Sequence, residues 1–187
     1  MTELPKASDL AAWRAAKDDY LANHRTSPLY GEEGFSGLSY FPETEALRVV
    51  AQVERPPESE PVMLSTSTGD ERLYLTYGTA RFELNGVTQS LVLYATPDAP
   101  AGPRLFVPFR DATSGSLTYG AGRYLEVTLE HEGQDGPVLL DFNYAYHPYC
   151  AYVEGYSCPF PPMGNWLEQP VPAGERLTEP HGGADQE

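Results

Sequence analysis

From Leu10 to His24 the positions Leu10, Trp13, Lys17, Tyr20, Leu21 and His24 recur at helical spacing, with the aliphatic stem of Lys17 inside the apolar stripe. This predicts one helix over about residues 8–24, with Ser8 available as its cap. Ser27-Pro28 ends it, because a proline drives the residue before it out of helical geometry. Such a helix would lie across a sheet or plug the end of a barrel. After Pro28 the period changes to that of short extended segments: Phe35–Phe41, Leu47–Val53, Val62–Ser67, Arg72–Tyr77, Thr79–Leu84, Val87–Ala95, Arg104–Phe109, Arg123–His131 and Val138–Asn143. Asn85-Gly86 between two of them is a strong hairpin signal, since both residues accept positive φ. The stretches 54–58, 96–100 and 132–136 are loops by composition. A parallel sheet needs a crossover after most strands, and no helical pattern is available for one. The predicted fold is therefore mainly β: an antiparallel β-barrel or β-sandwich with one N-terminal α-helix. No composition shift divides the chain, so it reads as a single domain over 1–187, with the β region at about 30–169. From about Pro170 onward the chain, rich in Pro, Gly and acids, is expected to trail as a flexible tail.

Composition narrows the classes of function. The chain has 187 residues and a net charge of −15, with 41% hydrophobic residues, which is globular composition. A chain this acidic repels phosphate backbones and anionic bilayers, so nucleic acid and membrane are not expected partners. No apolar run approaches the length of a membrane helix, and Met1-Thr2-Glu3-Leu4-Pro5 lacks the basic and apolar regions of a secretory signal, so a cytoplasmic location is expected. The two cysteines, Cys150 and Cys158, are too few for a disulfide scaffold and are expected as reduced thiols.

Candidate chemistry gathers in residues 106–165. Tyr119, Tyr124, Tyr144, Tyr146, Tyr149, Tyr152 and Tyr156 lie there, more than half of the 13 tyrosines, and rings with a polar tip suit a pocket wall as well as a core edge. Strand parity sets Arg123 on the face of Leu125, Val127 and Leu129, leaving Glu126, Thr128 and Glu130 on the wet face. An inward guanidinium needs a carboxylate or a bound anion. One reading is an anion clamp of Arg110 and Arg123, with hydroxyls from Thr113, Ser114, Thr118 and Tyr119; the other is a buried Arg–Asp network using Asp111 and Asp141. Gly115, Gly120 and Gly122 lead into a strand and lack the helix N-terminus a phosphate loop requires. His147, Cys150 and Cys158 are candidate metal ligands, although their spacing is not that of a zinc knuckle. No nucleophile elbow and no His-Glu-x-x-His occurs.

Phe106-Val-Pro-Phe-Arg-Asp-Ala-Thr-Ser-Gly115, Thr118-Tyr-Gly-Ala-Gly-Arg-Tyr-Leu125, Asp141-Phe-Asn-Tyr-Ala-Tyr146, Pro148-Tyr-Cys-Ala-Tyr152 and Cys158-Pro-Phe-Pro-Pro162 resemble the bacterial family called domain of unknown function 1684. Phe35-Ser-Gly-Leu-Ser-Tyr-Phe41 and Ala173-Gly-Glu175 resemble it too. Members usually carry Asn at the position of His147 and Glu-Asn where this chain has Gly164-Asn165, so the resemblance implies no essential role for His147. It implies that Arg110, Asp111, Arg123, Asp141, Asn143, Cys150 and Cys158 form one spatial cluster, and it carries no established activity. The expectation is a small anionic or polar ligand in an aromatic, arginine-lined pocket, bound by Arg110, Asp111, Thr113, Tyr119, Arg123, Asp141, Asn143 and Tyr146, with no cofactor. The alternative is a hydrolytic or metal-assisted enzyme using Asp111, Asp141 and Cys150 or His147.

Overall fold

The computed structural model describes residues 7–178, with the side chains of residues 7–9 outside the description. Helix α1 spans Ala7–Asn23 and buries Leu10 and Leu21. Its start takes in Ser8, whose side chain falls among those not described, so the expected cap lies outside the described residues. Strand β1 (Ser39–Tyr40) is much shorter than the extended run expected over 35–41. Then follow β2 (Arg48–Glu54), β3 (Glu60–Ser65), β4 (Glu71–Leu84), β5 (Val87–Ala95), β6 (Arg104–Phe109), β7 (Arg123–Thr128), β8 (Pro137–Asp141) and β9 (Glu175–Arg176).

The large sheet runs β7-β6-β5-β4-β2-β8, with β3 on β4 beside it; every pairing is antiparallel. It curls into a nearly closed barrel. After β8 a 3-10 turn, Phe142–Tyr144, returns the chain so that Tyr124 and Tyr146 exchange backbone hydrogen bonds at 2.8 and 2.9 Å, which ties the last strand back towards the first of the sheet. The hairpin expected at Asn85-Gly86 is present, with φ of 51° and 76° and Leu84 opposite Val87.

Arg72–Tyr77 and Thr79–Leu84, expected as two strands, are one continuous strand with a register shift between Thr76 and Gly78. A Cβ on Gly78 would lie 2.8 Å from Val53 Cγ1 and 2.9 Å from the Glu54 carbonyl. The missing side chain therefore lets β2 close on the bend, as at many bulges. The shift also lets Tyr74 face outward while Tyr77 enters the core.

Inside the barrel pack Tyr77, Phe82, Leu91, Leu93, Leu105, Val107, Phe109, Leu125, Val127, Leu140 and Phe142. The segment expected as a tail belongs to this core: Val171, Ala173 and Glu175 are buried, and only residues 179–187 lie outside the description. Val171 and Ala173 are buried in alternation with exposed Pro170 and Pro172, a strand-like parity hidden in a Pro/Gly-rich composition.

Candidate functional site

The inward arginine of β7 is found where parity puts it, fully buried; the protein itself occupies both Nη groups, while its buried Nε has no hydrogen-bond partner. Arg123 Nη2 donates to the Val171 carbonyl at 2.7 Å and to Asp111 Oδ1 at 3.3 Å, while Nη1 donates to the carbonyls of Ala173 and Glu175. Asp111 Oδ2 accepts from Thr113 N, Thr113 Oγ1 and Val171 N, the last at 2.7 Å. Thr113 and Thr118 hydroxyls bond each other at 3.0 Å. This is a structural network that pins residues 111–118 and 171–175 to the barrel. Arg110 does not join it in a clamp: its guanidinium stacks over Trp166, 4.4 Å from the ring centre.

Asp141 and Asn143 belong to a second network. Asp141 pairs with Arg48 Nε at 2.9 Å and accepts from Asn143 N and Nδ2, while Asn143 exchanges two 3.0 Å bonds with the backbone of Thr44. Arg48 also reaches Glu43 and Glu45. The one cluster implied by the family resemblance is thus divided among separate hydrogen-bond networks, since each acid is saturated by its own arginine and its own turn.

A third centre was only partly foreseen. Glu175, buried on β9, accepts from Lys17 Nζ at 2.9 Å, from His147 N and His147 Nδ1, each at 3.2 Å, and from the Tyr152 hydroxyl. Burial alone would raise its pKa, but the His147 hydrogen bond and the Lys17 charge overcome that and hold it down at about 2. His147 Nε2 accepts from Tyr119 N at 3.2 Å, which assigns the Nδ1-protonated tautomer donating to Glu175. Both ring nitrogens are therefore engaged, and Tyr119 serves this buried ring rather than a pocket. Cys150 and Cys158 are free thiols; burial, with Cys150 alongside, pushes the Cys158 thiol up. Among the described residues no three His, Cys, Asp or Glu side chains gather to hold a metal ion.

Open space lies on the other face of β7. A cavity of about 430 Å³ is lined by Lys17, Arg72, Tyr74, Phe106, Tyr124, Glu126, Tyr146, Tyr149, Tyr156, His147 and Cys158, with Trp13 at its edge. Its floor is a run of rings across β4, β6 and β7: Tyr74 stacks on Phe106 at 5.3 Å, Phe106 meets Tyr124 edge-on at 4.7 Å, and Tyr124 meets Tyr146 at 5.8 Å. The Tyr124 hydroxyl is fixed on the Pro159 carbonyl, and Tyr149 and Tyr156 pack edge to face at 5.4 Å along the rim. Lys17 Nζ, brought over by α1, sits 4.7 Å from the Tyr146 ring centre. Arg72 on β4 donates to neutral oxygens of Ser157 at 2.8 and 3.3 Å. A second cavity of about 490 Å³ shares Trp13, Glu126 and Tyr146 with the first and extends to Arg104, Glu130, Leu139, Asp141 and Tyr144.

Of the eight residues expected to bind a ligand, Tyr146 lines both cavities and Asp141 lines the second; Arg110, Asp111, Thr113, Tyr119, Arg123 and Asn143 line neither. Lys17, Arg72, Phe106 and Glu126 were missed. The tyrosine-rich stretch was the available signal, and Tyr124, Tyr146, Tyr149 and Tyr156 come from it.

A mainly antiparallel, nearly closed barrel with an aromatic outer cavity and a glutamate-anchored helix defines the class of protein. The family model for a protein of unknown function, DUF1684, matches residues 33–176, and the chain belongs to that family. The solution NMR structure of an uncharacterised protein of the haloarchaeon Haloarcula marismortui is 42% identical, covers 93% of this chain and 95% of its own, and superposes with a TM-score of 0.75. This archaeal likeness lends no support to a purely bacterial distribution. No curated protein matches the chain. Among the described residues no helix is long and apolar enough to cross a membrane.

Proposed function

We propose that the protein binds a small polar or anionic molecule with a flat apolar body in the cavity of about 430 Å³ between β4, β7, α1 and residues 146–159. One observation carries this reading: a wall of tyrosine and phenylalanine rings on which an acidic chain of net charge −15 sets the guanidinium of Arg72, held there by neutral oxygens of Ser157. Rings supply apolar contact at low entropic cost, and a guanidinium matches a carboxylate or phosphate in a planar, two-pronged geometry. The volume falls within the usual range of small-molecule sites, roughly 300–1,000 Å³.

The hydrolytic reading draws less support. His147 has no ring nitrogen left to act as a base, and Cys158 is held towards the neutral thiol. Calorimetric titration with benzoate and phenyl phosphate tests the binding reading. Wild type is expected to bind at least one of them, and Arg72→Ala, at an exposed position, to weaken that binding with its unfolding temperature unchanged. Absence of binding by either probe, or unchanged binding in the variant, contradicts it.

A further inference from the structure

The charges around the proposed cavity do not cancel in place. Lys17 is neutralised at 2.9 Å by buried Glu175. Two ionised groups of opposite sign then remain on the lining, Arg72 on β4 and Glu126 on β7. Arg72 is held by the neutral oxygens of Ser157. Glu126 is exposed and, among the described residues, accepts a single long 3.4 Å bond, from the Tyr146 hydroxyl. Among the described residues neither takes part in an ion pair, although both face the same space. The topology keeps them apart. β5 and β6 lie between β4 and β7, which sets the two strands roughly 14 Å apart at about 4.8 Å per strand, and the register places Thr76 level with Glu126, so Arg72 is displaced a further four residues along β4. Phe106 and Tyr124 fill the floor between them.

A lone anion would satisfy Arg72 and be repelled by Glu126. A lone cation meets the converse. A molecule carrying both charges, at opposite ends of a flat body, satisfies both and lays its body on the rings.

We infer that the ligand class of this cavity is a zwitterion with separated charges, its anionic group on Arg72 and its ammonium group on Glu126. The inference rests on the binding reading above and specifies it. The test compares three probes on the full chain by calorimetric titration: para-aminomethylbenzoate, benzoate and benzylammonium. The zwitterion is expected to bind about tenfold tighter than either singly charged probe. Glu126→Gln is expected to reduce that advantage over benzoate to less than about threefold, with benzoate affinity equal or improved and the unfolding temperature unchanged. Equal affinity for benzoate and the zwitterion, or an advantage that survives Glu126→Gln, overturns the zwitterion inference and leaves the binding reading standing. Failure of all three to bind overturns both.

Discussion

Arg123 and Glu175 show how much of the charge in this chain is structural. Arg123 is fully buried and bonded to three carbonyls and Asp111, so its loss strands the Asp111 carboxylate without a cation. Removing one partner of a buried pair costs about 3–5 kcal/mol. Arg123→Met is therefore expected to lower the unfolding free energy by that order in urea titration; a loss below about 1 kcal/mol would contradict the structural assignment. Glu175 carries the acid dependence. Its folded pKa of about 2 lies below the ordinary 4.5, so its stabilisation is complete above about pH 4.5 and is lost as the pH falls towards 2. The gap in unfolding free energy between wild type and Glu175→Gln is expected to narrow over that window, and a gap that stays constant would show that Glu175 is not held ionised.

At the scale of elements, the fold depends on a close approach of backbone to backbone. Residues 170–176 close over the barrel core through Gly174, where φ is +73° and a Cβ would lie 2.5 Å from the Ala145 carbonyl. Gly174→Ala is expected to cost more than about 1 kcal/mol and to lower the unfolding temperature, since both backbone strain and a clash oppose it. An unchanged transition would mean that the segment rearranges freely. This segment also marks the limit of the sequence. Hydrophobic alternation made the barrel strands, α1 and the Asn85-Gly86 hairpin legible because each is a local pattern. The role of 170–176 depends on carbonyls that bond an arginine some 50 residues away, and carbonyls leave no trace in side-chain chemistry. Parity placed Arg123 inward correctly, yet an inward position in a packed barrel is core. The cavity needed α1 and the 146–159 loops laid over the face that carries Glu126, and a single strand's pattern reads that face as solvent.

For the whole molecule, acidity and site are two aspects of one charge distribution. With 27 acidic residues, ten arginines and only two lysines, Lys6 and Lys17, the surface repels itself. Screening shortens from about 10 Å at 0.1 M salt to about 3 Å at 1 M, so the unfolding temperature is expected to rise with potassium chloride over that range. A flat or falling trend would contradict net repulsion. Against that background Arg72 makes the aromatic cavity a local exception where an anionic group can enter. The central claim is that ligand meets the outer face of β7 and leaves the buried face of Arg123 untouched. NMR mapping of amide shifts during titration with para-aminomethylbenzoate tests it most directly. The account predicts saturable shifts centred on Arg72, Phe106, Tyr124, Glu126 and Tyr146, with Asp111, Thr113 and Arg123 unmoved. Shifts centred on Asp111, Thr113 and Arg123, or none at any concentration, would contradict it.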